Sequence, residues 1–206
     1  MTTSAPLLDE PLPVELMNTI WADGDGVHDA LETPQQTAQW LEAVTDRLDI
    51  PVEAELGSIS TAQLRQTWIW ARDLRDALRR LAADTTGDHR PGAASAVKDI
   101  SRALTVLNKA AALAPRWSAL ELFTGDAPAR LVRTGKSAQD AAISQCADEA
   151  VVLLSAAAGS GLRACQAPGC VLYFVKQHPR REWCSAACGN RARVARHYQR
   201  HNTAHA

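Results

Sequence analysis

The chain has 206 residues, 46% of them apolar and 22% charged, with a formal net charge of −1. That length holds one large domain, or one domain with a small appendage, and the composition excludes a disordered or collagen-like chain. No run approaches the roughly 20 apolar residues of a membrane-spanning helix, and MTTSAPLLDEPLPVEL lacks the basic-then-apolar pattern of a secretory leader, so a cytoplasmic protein with reduced thiols is expected.

In chain order, Asn18, Trp21, His28 and Asp29 stand close together and are candidates for a small-molecule pocket. Ordinary caps and surface polar groups are the plainer alternative. Asp23-Gly24-Asp25-Gly26 has the look of a calcium loop, but Val27 occupies a ligand position and no bidentate glutamate follows, so it reads as a turn. Thr33-Pro34 is an N-cap and first-turn pair, followed by Trp40, Leu41, Val44 and Leu48 at helical spacing. Ser60-Thr61-Ala62-Gln63 is a capping box that opens a helix through Leu64, Trp68, Ala71, Leu74, Leu78 and Leu81, with its stop near Gly87. A third helix runs from about Ala93 through Val97, Ile100, Leu104 and Leu107. The stretches 117–123 and 129–132, on either side of Thr124-Gly125-Asp126, suggest a hairpin. Ser137 opens a fourth long helix through Ile143, Cys146, Val151 and Leu154, closed by Gly159-Ser160-Gly161. The helical apolar stripes are core, and Cys146 lies on one as a small buried hydrophobe.

Charge divides the chain at that glycine pair. From Gly161 onward there are eight lysines and arginines against one acid, a charge of +7, whereas residues 1–160 carry −8. A basic tail on an acidic body suggests a polyanionic partner for the tail, a solvated basic helix being the alternative. The expected division is a helical domain over 1–160 and a separate module over 161–206.

Four of the five cysteines lie in that tail, as Cys165-x4-Cys170-x13-Cys184-x3-Cys188. Two close pairs joined by a short connector are what a tetrahedral thiolate site requires. Pro168-Gly169 supplies a knuckle turn, 171–175 reads as a strand, His178-Pro179-Arg180-Arg181 as its turn and Glu182-Trp183 as the return strand. Ser185 then caps a helix with Cys188 in its first turn. The fold class expected is therefore mainly α with a short β-hairpin: a helical N-terminal domain plus a C-terminal treble-clef-like zinc finger. An iron–sulfur cluster also takes four thiolates and stays open as an alternative, but hairpin-plus-helix placement favours one Zn(II) per chain. With all four positions filled by cysteine, the metal is structural and no enzyme is expected.

On a wheel of 100° per residue, Cys188, Arg191, Ala192, Ala195 and Tyr198 share the metal side. Arg193, Arg196 and Arg200 form an outer row with His197 beside it. Arg191 points inward, to offset the charge of the thiolate centre. The outer row, with Arg180, Arg181 and Lys176 from the connector, is the candidate DNA contact surface. Asn190 lies at its edge and has two readings, a contact to a base or phosphate or, the one favoured beside a ligand, a backbone bond at the hairpin–helix junction; Gly189 lets another backbone approach closely.

Cys188-Gly189-Asn190-Arg191, preceded by Trp183-Cys184 and the pair Cys165/Cys170, closely resembles the CGNR-type zinc finger. In bacteria that finger typically ends a protein whose N-terminal part is the ABATE domain of proposed stress-induced transcription regulators. Leu16-Met17-Asn18-Thr19 resembles that domain's opening motif, Leu78-Arg79-Arg80-Leu81 its arginine-rich helix and Leu107-Asn108 its third helical segment. The resemblance implies a zinc-dependent DNA-binding regulator whose N-terminal part senses an effector or forms a homodimer. A zinc-stabilised scaffold that docks on protein is the alternative.

Overall fold

The computed structural model describes residues 5–52, 59–122, 127–156 and 161–203. Its chain order is α1 (Leu12–Met17), β1 (Ile20–Ala22), β2 (Val27–Asp29), α2 (Pro34–Ala43), α3 (Thr61–Thr86), α4 (Ile100–Ala111), β3 (Arg116–Glu121), β4 (Ala129–Thr134), α5 (Ala138–Ser155), β5 (Leu162–Ala164), β6 (Tyr173–Val175) and α6 (Ala186–Thr203). The fold is mainly α with small antiparallel strand pairs: β1 with β2, β3 with β4, and β5 with β6.

The helices begin where side chains satisfy their first free N–H groups. Thr33 and Gln36 form a reciprocal capping box on α2, and Ser60 and Gln63 do the same on α3. Helix α3 ends at Gly87, whose left-handed φ of 61° suits glycine, with Gly87 N and Asp88 N turning back to Asp84 O and Ala83 O. α4 starts at Ile100 because Asp99 caps it; the residues before it make a 3₁₀ turn at Pro91–Ala93, so the helix begins later than the apolar spacing implies. Ser137 caps α5. The hairpin of β3 and β4 forms as expected, while its turn at Thr124-Gly125-Asp126 and the Gly159-Ser160 stop lie outside the described residues. Periodicity did not anticipate α1, or the hairpin in which β1 and β2 flank the Asp23–Gly26 turn. Both are too short for a periodic signal to accumulate.

Helix α3 runs through the middle of the body, against α1, α2, α4 and α5. Its Leu74, Ala77 and Leu78 meet Leu16 and Met17 of α1, Leu41 of α2, Leu107 of α4 and Ile143 and Cys146 of α5 in one core. That core does not stop at the charge boundary: Leu162, Ala164, Tyr173 and Val175 belong to it as well. A second, smaller cluster gathers Cys165, Cys170, Leu172, Phe174, Cys184 and Cys188, with Leu8, Trp21 and Trp183 packed against it. The two-residue period of β6 explains the division, since Tyr173 and Val175 face the body while Phe174 faces the cysteines.

Candidate metal centre and basic helix

The first cysteine pair sits on a tight turn. Cys170 N donates to Ala167 O at 3.0 Å across Pro168-Gly169, with Gly169 at φ 73°. Proline at the second position and a left-handed glycine at the third are what a type II turn demands. β5 leads into Cys165 and β6 follows Cys170, with Leu162 opposite Val175 and Ala164 opposite Tyr173. This corrects the expected hairpin: the partner of 173–175 precedes the knuckle, and Glu182-Trp183 forms no strand. The connector instead runs irregularly to Cys184. Ser185 Oγ then accepts from Cys188 N at 3.2 Å, which starts α6 and puts Cys188 in its first turn.

These elements bring the four Sγ atoms within 4.8 Å of one another, all buried, with Cys170 and Cys184 3.8 Å apart and Cys184 and Cys188 3.4 Å apart. A zinc ion bonded to four sulfurs at about 2.3 Å spans such a tetrahedron. Four sulfurs so placed are a donor set for a soft metal ion. Four thiols this close cannot all ionise unaided. Hydrogen bonds from Cys170 and Cys184 hold the Cys165 thiol far below its usual range, while sharing with Cys165 pushes Cys170 and Cys184 up. A divalent cation removes that conflict by accepting all four thiolates. All four cysteines are buried. Arg191 Nη2 donates to Cys188 Sγ at 3.1 Å, and the Trp183 indole lies where a Cβ on Gly189 would be 3.1 Å from its Cδ1. Cys146 stands apart on α5, where burial raises its thiol well above the ordinary value.

Several sequence-selected residues serve the seam between body and finger. Asn18 is fully buried, and its amide makes a two-bond bridge to β6, giving to Tyr173 O at 3.0 Å and accepting from Tyr173 N at 2.9 Å. It therefore does not join Trp21, His28 and Asp29 in a pocket. Trp21 and His28 stack with centroids 4.4 Å apart, and Asp29 takes Arg75 and Leu31 N. Arg181 is the second correction. It turns inward to Glu10, Val175 O, Cys184 O and the Phe174 ring, so its guanidinium is already partnered and its side chain is only partly exposed beside Arg180 and Arg193. Tyr198, on the metal side of the wheel, is 65% exposed because the body ends before it.

Sequence reasoning missed the other seam residues. Buried Arg79 donates to Met17 O, Ala93 O and Val171 O, and burial lowers its pKa only to about 10, so it stays charged at neutral pH. Arg90 Nη1 holds Cys165 O at 2.6 Å and Cys170 O at 2.9 Å, while its Nε and Nη2 each reach Asp88 at 2.7 Å. Tyr173 OH donates to Asp88 at 2.7 Å, and the Arg79 and Arg90 guanidiniums each lie 5.4 Å from its ring centroid. Glu10, also buried, accepts from Val175 N at 2.8 Å. Nothing in the spacing of single arginines and acids marks such pairings, since their partners are backbone carbonyls and N–H groups up to 165 positions away.

Beyond Ala192, α6 leaves the body. Arg193, Arg196, His197 and Arg200 are exposed on it, with Arg193 bonded to Asn190 and Arg196 Nε reaching Ala192 O at 3.4 Å. Arg180 is exposed on the connector, and Lys176 is half-buried. Among the described residues no helix is long and apolar enough to cross a membrane.

Comparison with curated proteins finds no match. Family models do match: residues 162–201 match the CGNR zinc finger, and residues 10–157 match ABATE, described as "Putative stress-induced transcription regulator". The second match covers well over half of the chain, and the four clustered cysteines fall within the first. The chain therefore belongs to the ABATE family and ends in a CGNR zinc finger.

Proposed function

We propose that the protein is a zinc-dependent DNA-binding transcription regulator in which α6 contacts duplex DNA. The observation that supports this most is the projection of α6 past the metal centre, with Arg193, Arg196, His197 and Arg200 exposed on it. Arg180 and Lys176 add charge from the connector. One Zn(II) per chain anchors the start of the helix, and four thiolates leave that ion no open position for catalysis, so the protein is not an enzyme. A single small module covers only about 600–1,000 Å² of DNA, so a homodimer supplies useful specificity. The helical part responds to a signal in the cytoplasm.

The test is a gel shift on mixed-sequence duplex with the zinc-loaded protein. Arg193→Ala combined with Arg196→Ala abolishes the shift and leaves zinc content unchanged. Wild-type affinity falls steeply with salt, by about 0.9 log unit per log unit for each phosphate contacted. A second reading, docking on protein, has its own support in Val194 and Tyr198, which are 55% and 65% exposed one turn apart on α6. It predicts weak salt dependence, and a double variant that binds DNA normally would remove α6 as the reader.

A further inference from the structure

The metal site and the central helix of the body are joined by a short chain of charged groups. Two of the four metal-site cysteines, Cys165 and Cys170, present their own backbone carbonyls to Arg90 Nη1 at 2.6 and 2.9 Å. The other edge of the same guanidinium lies on the Asp88 carboxylate, whose side chain is 1% exposed. Asp88 in turn is the residue whose backbone N–H closes the C-terminal turn of α3 on Ala83 O at 2.8 Å. It also receives Tyr173 OH, so the strand that enters both cores is tied to the same carboxylate. From sulfur ligand to helix cap the path is continuous, and each link is a charge-assisted hydrogen bond or one peptide unit.

We propose that the signal read by this chain is the metal state of its own four cysteines, a site for a thiophilic divalent cation, and that Arg90 carries that state into the helical body. With the ion bound, the knuckle holds both carbonyls at one spacing and Arg90 pins the end of α3. Without it, nothing ties the first cysteine pair to the second, the knuckle is free to relax, and Arg90 and Asp88 lose the geometry that caps the helix. The hairpin of β5 and β6 stays docked through Asn18, Glu10 and the body core; among the guanidiniums on the finger's carbonyls, Arg90 holds two of the ligand cysteines and Arg181 one, Cys184 O, and only Arg90 also holds Asp88 at the end of α3. A groove of about 570 Å³ lies at the same seam, between the β1–β2 turn and the knuckle. Its polar side chains are Asp23, Gln166 and Arg90, and Arg90 already has acceptors on both edges. Asp23 is taken by His28 and Asp25 N, which leaves little there to recognise a small molecule. The inference rests on the cysteines holding an ion and does not depend on α6 binding DNA, so no DNA enters its test.

Amide hydrogen exchange of the full chain is measured with zinc bound and after chelation. In the wild type, chelation raises exchange at residues 82–88 at least tenfold while α1 and α5 keep their protection; a uniform rise over the whole body would be global unfolding and would overturn the proposal. In Arg90→Gln the zinc-bound protein already exchanges faster there, and chelation adds less than twofold. Tyr173→Phe keeps the ring and removes only the hydroxyl, giving an intermediate response and a second check should Arg90→Gln fold poorly. Unchanged protection at 82–88 on chelation, or a full tenfold response in both variants, would overturn the proposal.

Discussion

At the scale of single residues, the seam is built from charges whose ionised forms are stabilised by fixed partners. Burial pushes the Asp88 carboxyl up, but hydrogen bonds from Arg90 and Tyr173 outweigh it and hold its pKa at about 2, below the ordinary 3.8. A depressed carboxylate stabilises the fold above its unfolded pKa and loses that contribution as pH falls through the folded one. The shift corresponds to about 2 kcal/mol. Asp88→Asn therefore lowers unfolding free energy in urea by about that amount. The gap to wild type stays constant from pH 7 to 5 and closes only as pH drops from about 4 towards 2. Glu10 and Glu15 carry the opposite sign. Burial raises both, so their charged forms are tolerated because Val175 N and Arg181 meet Glu10, and Leu8 N and Glu10 N meet Glu15.

At the scale of elements, the finger is assembled from pieces too short to fold alone, and glycine decides where they can meet. Gly161 enters β5 at φ 69°, and a Cβ there would lie 3.0 Å from Lys176 O, the backbone across the hairpin. Gly161→Ala strains the backbone and forces the strands apart, which costs roughly 1–3 kcal/mol. Thermal unfolding of the zinc-bound protein measures it, and an unchanged midpoint would show that the hairpin closes without this approach. Helix α6 was legible in outline because Ser185, the cysteine spacing and the arginine period are local signals. The hairpin was half legible. A strand at 173–175 shows as an apolar run, but its partner could not be chosen from sequence, since 162–164 and 182–183 are both short and unremarkable. The register follows from Lys176 N meeting Gly161 O at 2.8 Å and from which face of β6 the body covers.

At the scale of the molecule, the two family matches meet between residues 157 and 162, yet the hydrophobic core crosses that gap. Removing 161–206 would strip Leu162, Ala164, Tyr173 and Val175 from the body, leave the Asn18 amide unpaired and take Val171 O from Arg79. Unpaired buried polar groups cost about 1–3 kcal/mol each, a large share of the stability of a domain this size. A fragment of residues 1–160 is thus expected to lack a cooperative thermal transition, whereas the full zinc-bound chain melts in one. A fragment that melts sharply on its own would make the charge boundary a folding boundary too.

What the sequence determined by itself was whatever depends on near neighbours: helix caps at Thr33, Ser60, Ser137 and Ser185, the stop at Gly87, the four-cysteine spacing and the arginine row on the last helix. Each is readable because capping, turn chemistry and ligand pairing act over a few residues. Only the tertiary structure decided that Asn18 braces β6 rather than lining a pocket, that Arg181 faces inward, and that Arg79 and Arg90 hold the finger's carbonyls. A long polar side chain bears the same signature in sequence whether it meets water, phosphate or a distant peptide group. Burial and the position of that peptide group choose among them.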